Sequence, residues 1–315
     1  MRLLAIDIGG TNSRFADCYY QSKTDFKIEQ IFSIETNQPG INNFQDLLNA
    51  YETSKPESFL NLEKYNLVSI AVAGPVNGKQ SSPPNIAWDI KLDDIPSLPE
   101  AILLNDFVAQ AYAFSIPAEQ KKLDKIRVHD KNHQGSIAII GAGTGLGHSM
   151  LIPVKHKKQS YEVLASEAGQ ACFTFTKEEK ELESFILDKT KQNYAINDLI
   201  VSGSGISLIH EFLTNRILSA KDVFLDTKNN EATLNLFSRF YARACRNYCL
   251  SSCITDKLII TGGIAAKHPE LINNQYFIEE LNDSITHQKI LRQISIYLNK
   301  QENIGLLGAC FYSLI

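Results

Sequence analysis

Asp106, in Leu104-Asn105-Asp106-Phe107, is a carboxylate at the end of a short apolar run, where an acid can do proton chemistry. It is flanked by segments of another kind. Asp7-Ile8-Gly9-Gly10-Thr11-Asn12-Ser13-Arg14 lies upstream, Gly141-Ala142-Gly143-Thr144-Gly145-Leu146-Gly147 downstream, and Thr261-Gly262-Gly263-Ile264 near the C-terminus. These offer backbone turns with little side-chain bulk. Phosphoryl transfer asks little covalent chemistry of a protein. It needs positioning, neutralised charge and a carboxylate to take the hydroxyl proton. One acid with several glycine turns therefore points to a kinase of small hydroxyl compounds.

The glycine turns fit neither common nucleotide fingerprint. A dinucleotide motif needs glycine at its first, third and sixth positions; counting from Gly141 the sixth is Leu146, and counting from Gly143 it is His148. A P-loop needs Lys and then Ser or Thr after its last glycine, and none follows Gly147. Glycine does let backbone N–H groups approach an anion closely, and Thr11 and Thr144 add hydroxyl donors. Either turn alone is equally well an ordinary hairpin. Gly9-Gly10 and Gly141–Gly147 both follow apolar strands, and Gly262-Gly263 follows a third, which favours phosphate binding. Asp7, at the end of the first strand, suits a Mg²⁺ ion held through water.

Asp106 can also serve as a helix cap, and the two roles are compatible. Asn105 beside it offers both a donor and an acceptor to substrate hydroxyls. Sugar recognition uses clustered Asn, Asp and Glu, because fixed hydrogen bonds penalise a missing hydroxyl. Asn85 in Pro83-Pro84-Asn85-Ile86-Ala87-Trp88 and Glu167 in Ser166-Glu167-Ala168-Gly169-Gln170 are candidates, and Asp198 is a further one.

Hydrophobic periodicity supplies the elements that must hold these residues. Residues 3–8, 14–20 and 28–34 read as strands, the first two joined by the turn at Gly9-Gly10. Asn42–Thr53 is a helix with Phe44, Leu47, Leu48 and Tyr51 on one face. Leu67–Val72 and Ile102–Leu104 are strands, and a helix runs from Asp106 to about Phe114. A second region begins near Ser115-Ile116-Pro117. There, Gly135–Ile140 and Ser149–Val154 are strands, with His156-Lys157-Lys158 as a solvated hairpin tip. Lys177–Asp188, Gly203–Leu213 and Ala232–Cys253 are helices, Leu258–Thr261 and Ser295–Leu298 strands, and Ile304–Ser313 a closing helix. The order suggests two α/β lobes, the second a diverged echo of the first. The expected division is 1–114, completed by 300–315, and 115–299.

The 315 residues are 44% apolar and 21% charged, an ordinary composition for a folded chain with more than one core. A net charge of −4 argues against a general nucleic-acid or membrane-surface binder. No secretion signal or membrane-length apolar run is apparent, so the cytoplasm is the expected location. Cys18, Cys172, Cys245, Cys249, Cys253 and Cys310 make no C-x-x-C pair or zinc spacing, and Cys245, Cys249 and Cys253 fall on one helical face.

Taken jointly, Asp7–Arg14, Asn105-Asp106-Phe107, Gly141–Gly147 and Thr261–Ile264 resemble the bacterial glucokinases of the proteobacterial, non-ROK type, in the same order from residue 1 to about 312. The resemblance implies the two-lobed actin-like ATPase (ribonuclease H-like) fold with an interlobe cleft. It also implies ATP-dependent phosphorylation of the glucose 6-hydroxyl with Mg²⁺, usually by a homodimer. By position Asp106 would be the catalytic base, and Asn105, Glu167, Gln170 and Asp198 would join it in binding the sugar, beside the candidate Asn85. Asp7 would serve the metal. Gly9, Gly10, Thr11, Asn12, Gly143 and Thr144 would serve the ATP phosphates, and Gly262 and Gly263 the adenosine side. ROK kinases carry a cysteine-rich zinc motif absent here. Gln170 stands where the family has a sugar-binding His, and Asp198 where it has a second sugar-contacting Glu. The shorter acid loses about 1.5 Å of reach, and a lost neutral contact costs roughly 0.5–1.5 kcal/mol. A kinase for another hexose or an amino sugar is therefore the second reading, and a sugar sensor on the same scaffold the third.

Overall fold

The computed structural model describes residues 1–22, 25–129, 134–154, 160–254 and 256–313. In chain order the first elements are β1 (Arg2–Ile8), β2 (Asn12–Ser22), β3 (Asp25–Glu35), α1 (Phe44–Ser54) and β4 (Leu67–Val72). A small sheet of β5 (Val76–Asn77), β6 (Gln80–Ser81) and β7 (Ile90–Lys91) follows, then β8 (Ala101–Asn105), α2 (Asp106–Phe114) and α3 (Pro117–Gln120). Next come β9 (Asp124–Arg127), β10 (Ile137–Ala142), β11 (Leu146–Pro153), β12 (Tyr161–Ser166), α4 (Lys180–Thr190), α5 (Asn197–Ile200), α6 (Gly203–Thr214) and α7 (Ala220–Leu225). The chain closes with α8 (Glu231–Ser251), β13 (Lys257–Thr261), α9 (Gly263–Lys267), α10 (Gln275–Asn282), α11 (Gln288–Arg292), β14 (Ser295–Leu298) and α12 (Ile304–Tyr312). It divides into two units, Met1–Gln120 with Gln301–Ile315, and Lys121–Lys300.

The first unit is built on a sheet of order β3-β2-β1-β4-β8. β1 to β3 form an antiparallel meander, while β4 and β8 run parallel to β1. All six residues of β4 are buried, as expected of an inner parallel strand covered on both faces. Side chains alternate across the sheet. Leu4, Ile6 and Ile8 pack in one apolar cluster with Phe44, Leu47, Leu48 and Tyr51 of α1. Leu3 and Ala5 pack in another with Ala109 of α2 and Leu306, Ala309 and Cys310 of α12. The face expected for the first helix is thus the one that is buried.

The second unit repeats the plan. Its sheet has the order β12-β11-β10-β13-β14, with β9 added antiparallel at the β14 edge. β10 to β12 again form a meander, and β13 and β14 again run parallel to β10 and to each other. The echo suspected in the sequence is this shared strand order. Phe237, Phe240 and Tyr241 of α8 pack with Ala138, Ile140 and Ala142 of β10 in the core.

Several expectations need correction. β10 and β11 run further into the glycine segment than periodicity suggests, and Gly141 pairs with Gly147, so the open turn shrinks to Gly143-Thr144-Gly145. α8 ends at Ser251, and Cys253 lies beyond it, exposed and with a left-handed φ of 49°, so only Cys245 and Cys249 share a buried helical face. The segment His156-Lys157-Lys158 falls outside the described residues. Among those described, no helix is long and apolar enough to cross a membrane.

Candidate active site

In the first unit the candidate residues gather where parallel strands end. Ile8, Val72 and Asn105 lie abreast in the ladders of β1, β4 and β8. The residues that follow them, Gly9-Gly10, Ala73-Gly74 and Asp106, therefore leave the sheet at the same end, the end at which α/β proteins bind ligands. The turn after β1 is pinned from several sides. The Gly9 N–H donates to the Asn12 carbonyl at 3.1 Å, and the Thr36 hydroxyl donates to the Gly9 carbonyl at 2.7 Å. The Asn37 amide donates to the Gly10 carbonyl at 2.8 Å. A Cβ on Gly10 would lie 3.1 Å from both Cβ and O of Asn85, so this turn brings Asn85 against the glycines. Thr11 is exposed beside them. Thr36 and Asn37 carry no motif, and nothing in the sequence pattern marks them.

Asn105, not Asp106, caps α2. Its Oδ1 accepts the N–H groups of Phe107 at 2.9 Å and Val108 at 3.1 Å, while its amide donates to the Gly74 carbonyl at 3.0 Å. Both lone pairs of that oxygen are taken, so Asn105 can offer a ligand only an N–H, not the donor and acceptor its side chain suggests. The reason lies in the backbone: Asn105 has extended angles, as an N-cap requires, whereas Asp106 already opens the helix. Asp106 thereby stands half-buried at the first helical position, its Oδ1 also accepting the Phe107 N–H at 2.9 Å. Gly74 in turn has no room for a side chain, since its Cβ would sit 2.8 Å from Cα of Pro83. Asn105, Gly74, the Pro83–Asn85 loop and Gly10 thus form one continuous run of contacts.

Asp7 sits across the ladder from Arg14 on β2. Burial raises its pKa, and the charge of Arg14 acts against that rise. Gly305 of α12 packs on it so closely that a Cβ there would be 3.0 Å from Oδ2. A carboxylate reluctant to ionise in this setting is one that a cation would favour. Among the described residues no three His, Cys, Asp or Glu side chains cluster as a metal cage. A Mg²⁺ ion at Asp7 would keep water and phosphate oxygens as ligands, its usual habit.

The second unit repeats the arrangement at the ends of β10 and β13, where Gly141 pairs with Thr261. Gly262 has φ of 86°, and a Cβ on it would lie 2.5 Å from the Ala142 carbonyl oxygen, so only glycine fits. Gly143 and Gly263 are open on the side where a Cβ would stand, which leaves their backbone approachable. The Gly143 N–H is closed on the Gly145 carbonyl at 2.8 Å, and the Gly143 carbonyl accepts the Gly203 N–H at 3.1 Å. The Ala142 N–H donates to the hydroxyl of the buried Tyr241 at 3.2 Å, a support that no motif announces. Both polar groups of Gly143 are thus used to pin the turn, while the space beside Gly143 and Gly263 stays open to an anion.

Glu167, Gln170 and Asp198 belong to the same unit. Glu167 precedes a short 3-10 turn, Ala168–Gln170, and its carbonyl accepts the Gln170 N–H at 2.9 Å. The side chains of Glu167 and Gln170 reach solvent. Packing around the Glu167 carboxyl, with the charge of Asp198 adding to it, raises its pKa. Asp198 is the second residue of α5, an element too short for periodicity to reveal, and burial raises its pKa against a hydrogen bond from Leu146. A carboxyl raised by burial and by a second acid nearby is typical of functional clusters.

Strand order, the repeated plan and the glycine exits define a sugar kinase with the actin-like ATPase fold. The chain is similar to the crystal structure of glucokinase from an Antarctic psychrotroph, with a TM-score of 0.78 at 25% identity over 99% of this chain and 98% of that one. It is also similar to that of glucokinase from Balamuthia mandrillaris in complex with glucose, with a TM-score of 0.82 at 18% identity over 99% and 92% of the two chains. Among curated sequences, the glucokinase of Helicobacter pylori is 33% identical over 98% of this chain and 94% of its own length. The glucokinase family model matches residues 4–314, and the chain belongs to that family.

Proposed function

We propose that Asp106 is the general base of an ATP-dependent glucose kinase. Family membership makes the chain an enzyme of the glucokinase type, which phosphorylates glucose from ATP. The observation that supports the base assignment is the position of Asp106. It follows β8 directly, at the strand end shared with the Gly9-Gly10 turn. Asp106 takes the proton as the sugar 6-oxygen attacks the γ-phosphate.

The sugar is held by Asn85, the N–H of Asn105, Glu167, Gln170 and the free oxygen of Asp198. Gly9, Gly10, Thr11, Asn12, Gly143 and Thr144 serve the ATP phosphates, and Gly262-Gly263 the adenosine. Asp7 would hold Mg²⁺, and the ion would supply charge neutralisation on the phosphates. The cysteine spacing supports the non-ROK branch, the working form is a homodimer, and the enzyme acts in the cytoplasm.

Gln170 and Asp198 favour a second reading only for the acceptor. ADP release with Mg·ATP against glucose, mannose and amino sugars tests it. A kcat/KM for glucose above that for every other sugar upholds glucokinase. A higher value for another sugar reassigns the substrate and leaves the phosphate chemistry unchanged.

A further inference from the structure

Asp198 does more than face a sugar. Its Oδ1 accepts the Leu146 N–H at 2.5 Å. The carboxylate lies flat over Gly145, where a Cβ would be 2.4 Å from Oδ1, 3.0 Å from Cγ and 3.1 Å from Oδ2. On its other side is Gly169, where a Cβ would be 2.3 Å from the Leu146 carbonyl oxygen and 3.6 Å from Oδ1 of Asp198. A side chain at Gly145 would meet the Asp198 carboxylate, and one at Gly169 the Leu146 carbonyl, with Asp198 in ordinary contact beside it. The neighbouring residue ties the same segment down: the Asn197 amide donates to the Ala168 carbonyl at 2.9 Å, and its backbone N–H to the Ala171 carbonyl at 2.9 Å. Just beyond α5, the Gly203 N–H holds the Gly143 carbonyl at 3.1 Å. Residues 197–203 therefore grip two loops at once, the open turn Gly143-Thr144-Gly145 and the Glu167–Gln170 segment.

We propose that Asp198 is a positioning residue that locks the phosphate-facing turn at Gly143–Leu146 to the sugar-facing segment at Glu167–Gln170, so that nucleotide and sugar affinities are coupled through it. This rests on the reading of those two segments given above. A sugar that orders Glu167 steadies Asp198, and with it the turn that receives phosphate.

The test compares Asp198→Ala and Asp198→Asn with the unaltered chain. Binding of a non-hydrolysable ATP analogue is titrated with and without glucose, alongside KM for Mg·ATP and for glucose and the thermal midpoint. Asp198→Ala is expected to weaken the analogue about tenfold even without sugar, as loss of a charge-assisted hydrogen bond predicts. It also brings the ratio of analogue affinities with and without glucose toward one. Asp198→Asn keeps an oxygen for Leu146 and restores analogue binding to within about threefold, while the KM for glucose stays raised. An Asp198→Ala variant that loses only glucose affinity overturns the proposal, because Asp198 is then a plain sugar ligand. Equal losses in both variants, tracking a lower thermal midpoint, overturn it as well, because Asp198 is then only a structural brace. The analogue arm needs no turnover, so absence of glucose phosphorylation by the unaltered chain would count against the functional reading and not against this one.

Discussion

Asn105 shows how one side chain divides its work. Its oxygen is consumed by capping α2 and its amide by Gly74, leaving one N–H for a ligand. Asn105→Ala is expected to lose about 1 kcal/mol of stability with the cap, read by urea unfolding, and to raise the KM for glucose. Asn105→Asp keeps an acceptor for Phe107 and Val108 but loses the donor. It should therefore hold its stability better than the alanine variant while raising the KM for glucose to a similar degree. An aspartate variant with an unaltered KM would show that Asn105 serves the fold alone.

At the scale of elements, the strands and the glycines after them carry the design. Gly262 and Gly263 are adjacent but unlike: the first has positive φ and is pressed on Ala142, while the second is open. Gly262→Ala is expected to cost about 1–3 kcal/mol of stability and to raise the KM for Mg·ATP. Gly263→Ala should stay within about 0.5 kcal/mol of the unaltered chain, so a pair of urea titrations separates backbone strain from simple loss of glycine. Equal effects in the two variants would contradict the assignment. The strands were legible because β1, β4 and β13 are runs of apolar residues ended by glycine, and α1 because its buried face recurs at helical spacing. α5 was not, since four residues show no period, and Asp198 stood out by residue type alone only weakly. The braces Thr36, Asn37 and Tyr241 were equally hidden. Their partners are backbone groups distant in sequence, and a single sequence does not show which carbonyl a hydroxyl or amide will meet. The capping of α2 was misassigned by one residue, because Asn105 and Asp106 are both good caps and only the backbone angles choose between them.

At the scale of the whole molecule, the two units share a strand order, and in each the first strand of the meander, β1 or β10, runs into a glycine turn. The second also depends on a buried ionic network. Arg243, 1% exposed, donates to Glu179 at 2.5 and 2.9 Å, to Glu280 at 2.8 Å and to the Thr174 carbonyl at 3.0 Å. Burial opposes ionisation of Glu179 and Glu280, but Arg243, joined by Thr176 at Glu179 and by the charges of Arg246 and Arg239 at Glu280, holds both carboxyls below the usual glutamate range. Depressed carboxyls contribute stability that is complete above their unfolded pKa and is lost as pH falls through the folded value. Asp7, Asp17, Glu167 and Asp198, raised by burial, act in the opposite sense. Arg243→Met isolates the network: it should destabilise the chain by about 3–5 kcal/mol at neutral pH and by less in acid. A calorimetric difference between variant and unaltered chain that stays constant from neutral pH into the acid range would contradict this. For the chain as an enzyme, the most direct measurement is ADP release with Mg·ATP and glucose by the unaltered protein and by Asp106→Asn, with glucose affinity measured on both. General-base catalysis by Asp106 predicts that the variant loses at least about a hundredfold in kcat and keeps its glucose affinity. Turnover near that of the unaltered chain, or retained turnover with lost glucose binding, would contradict it.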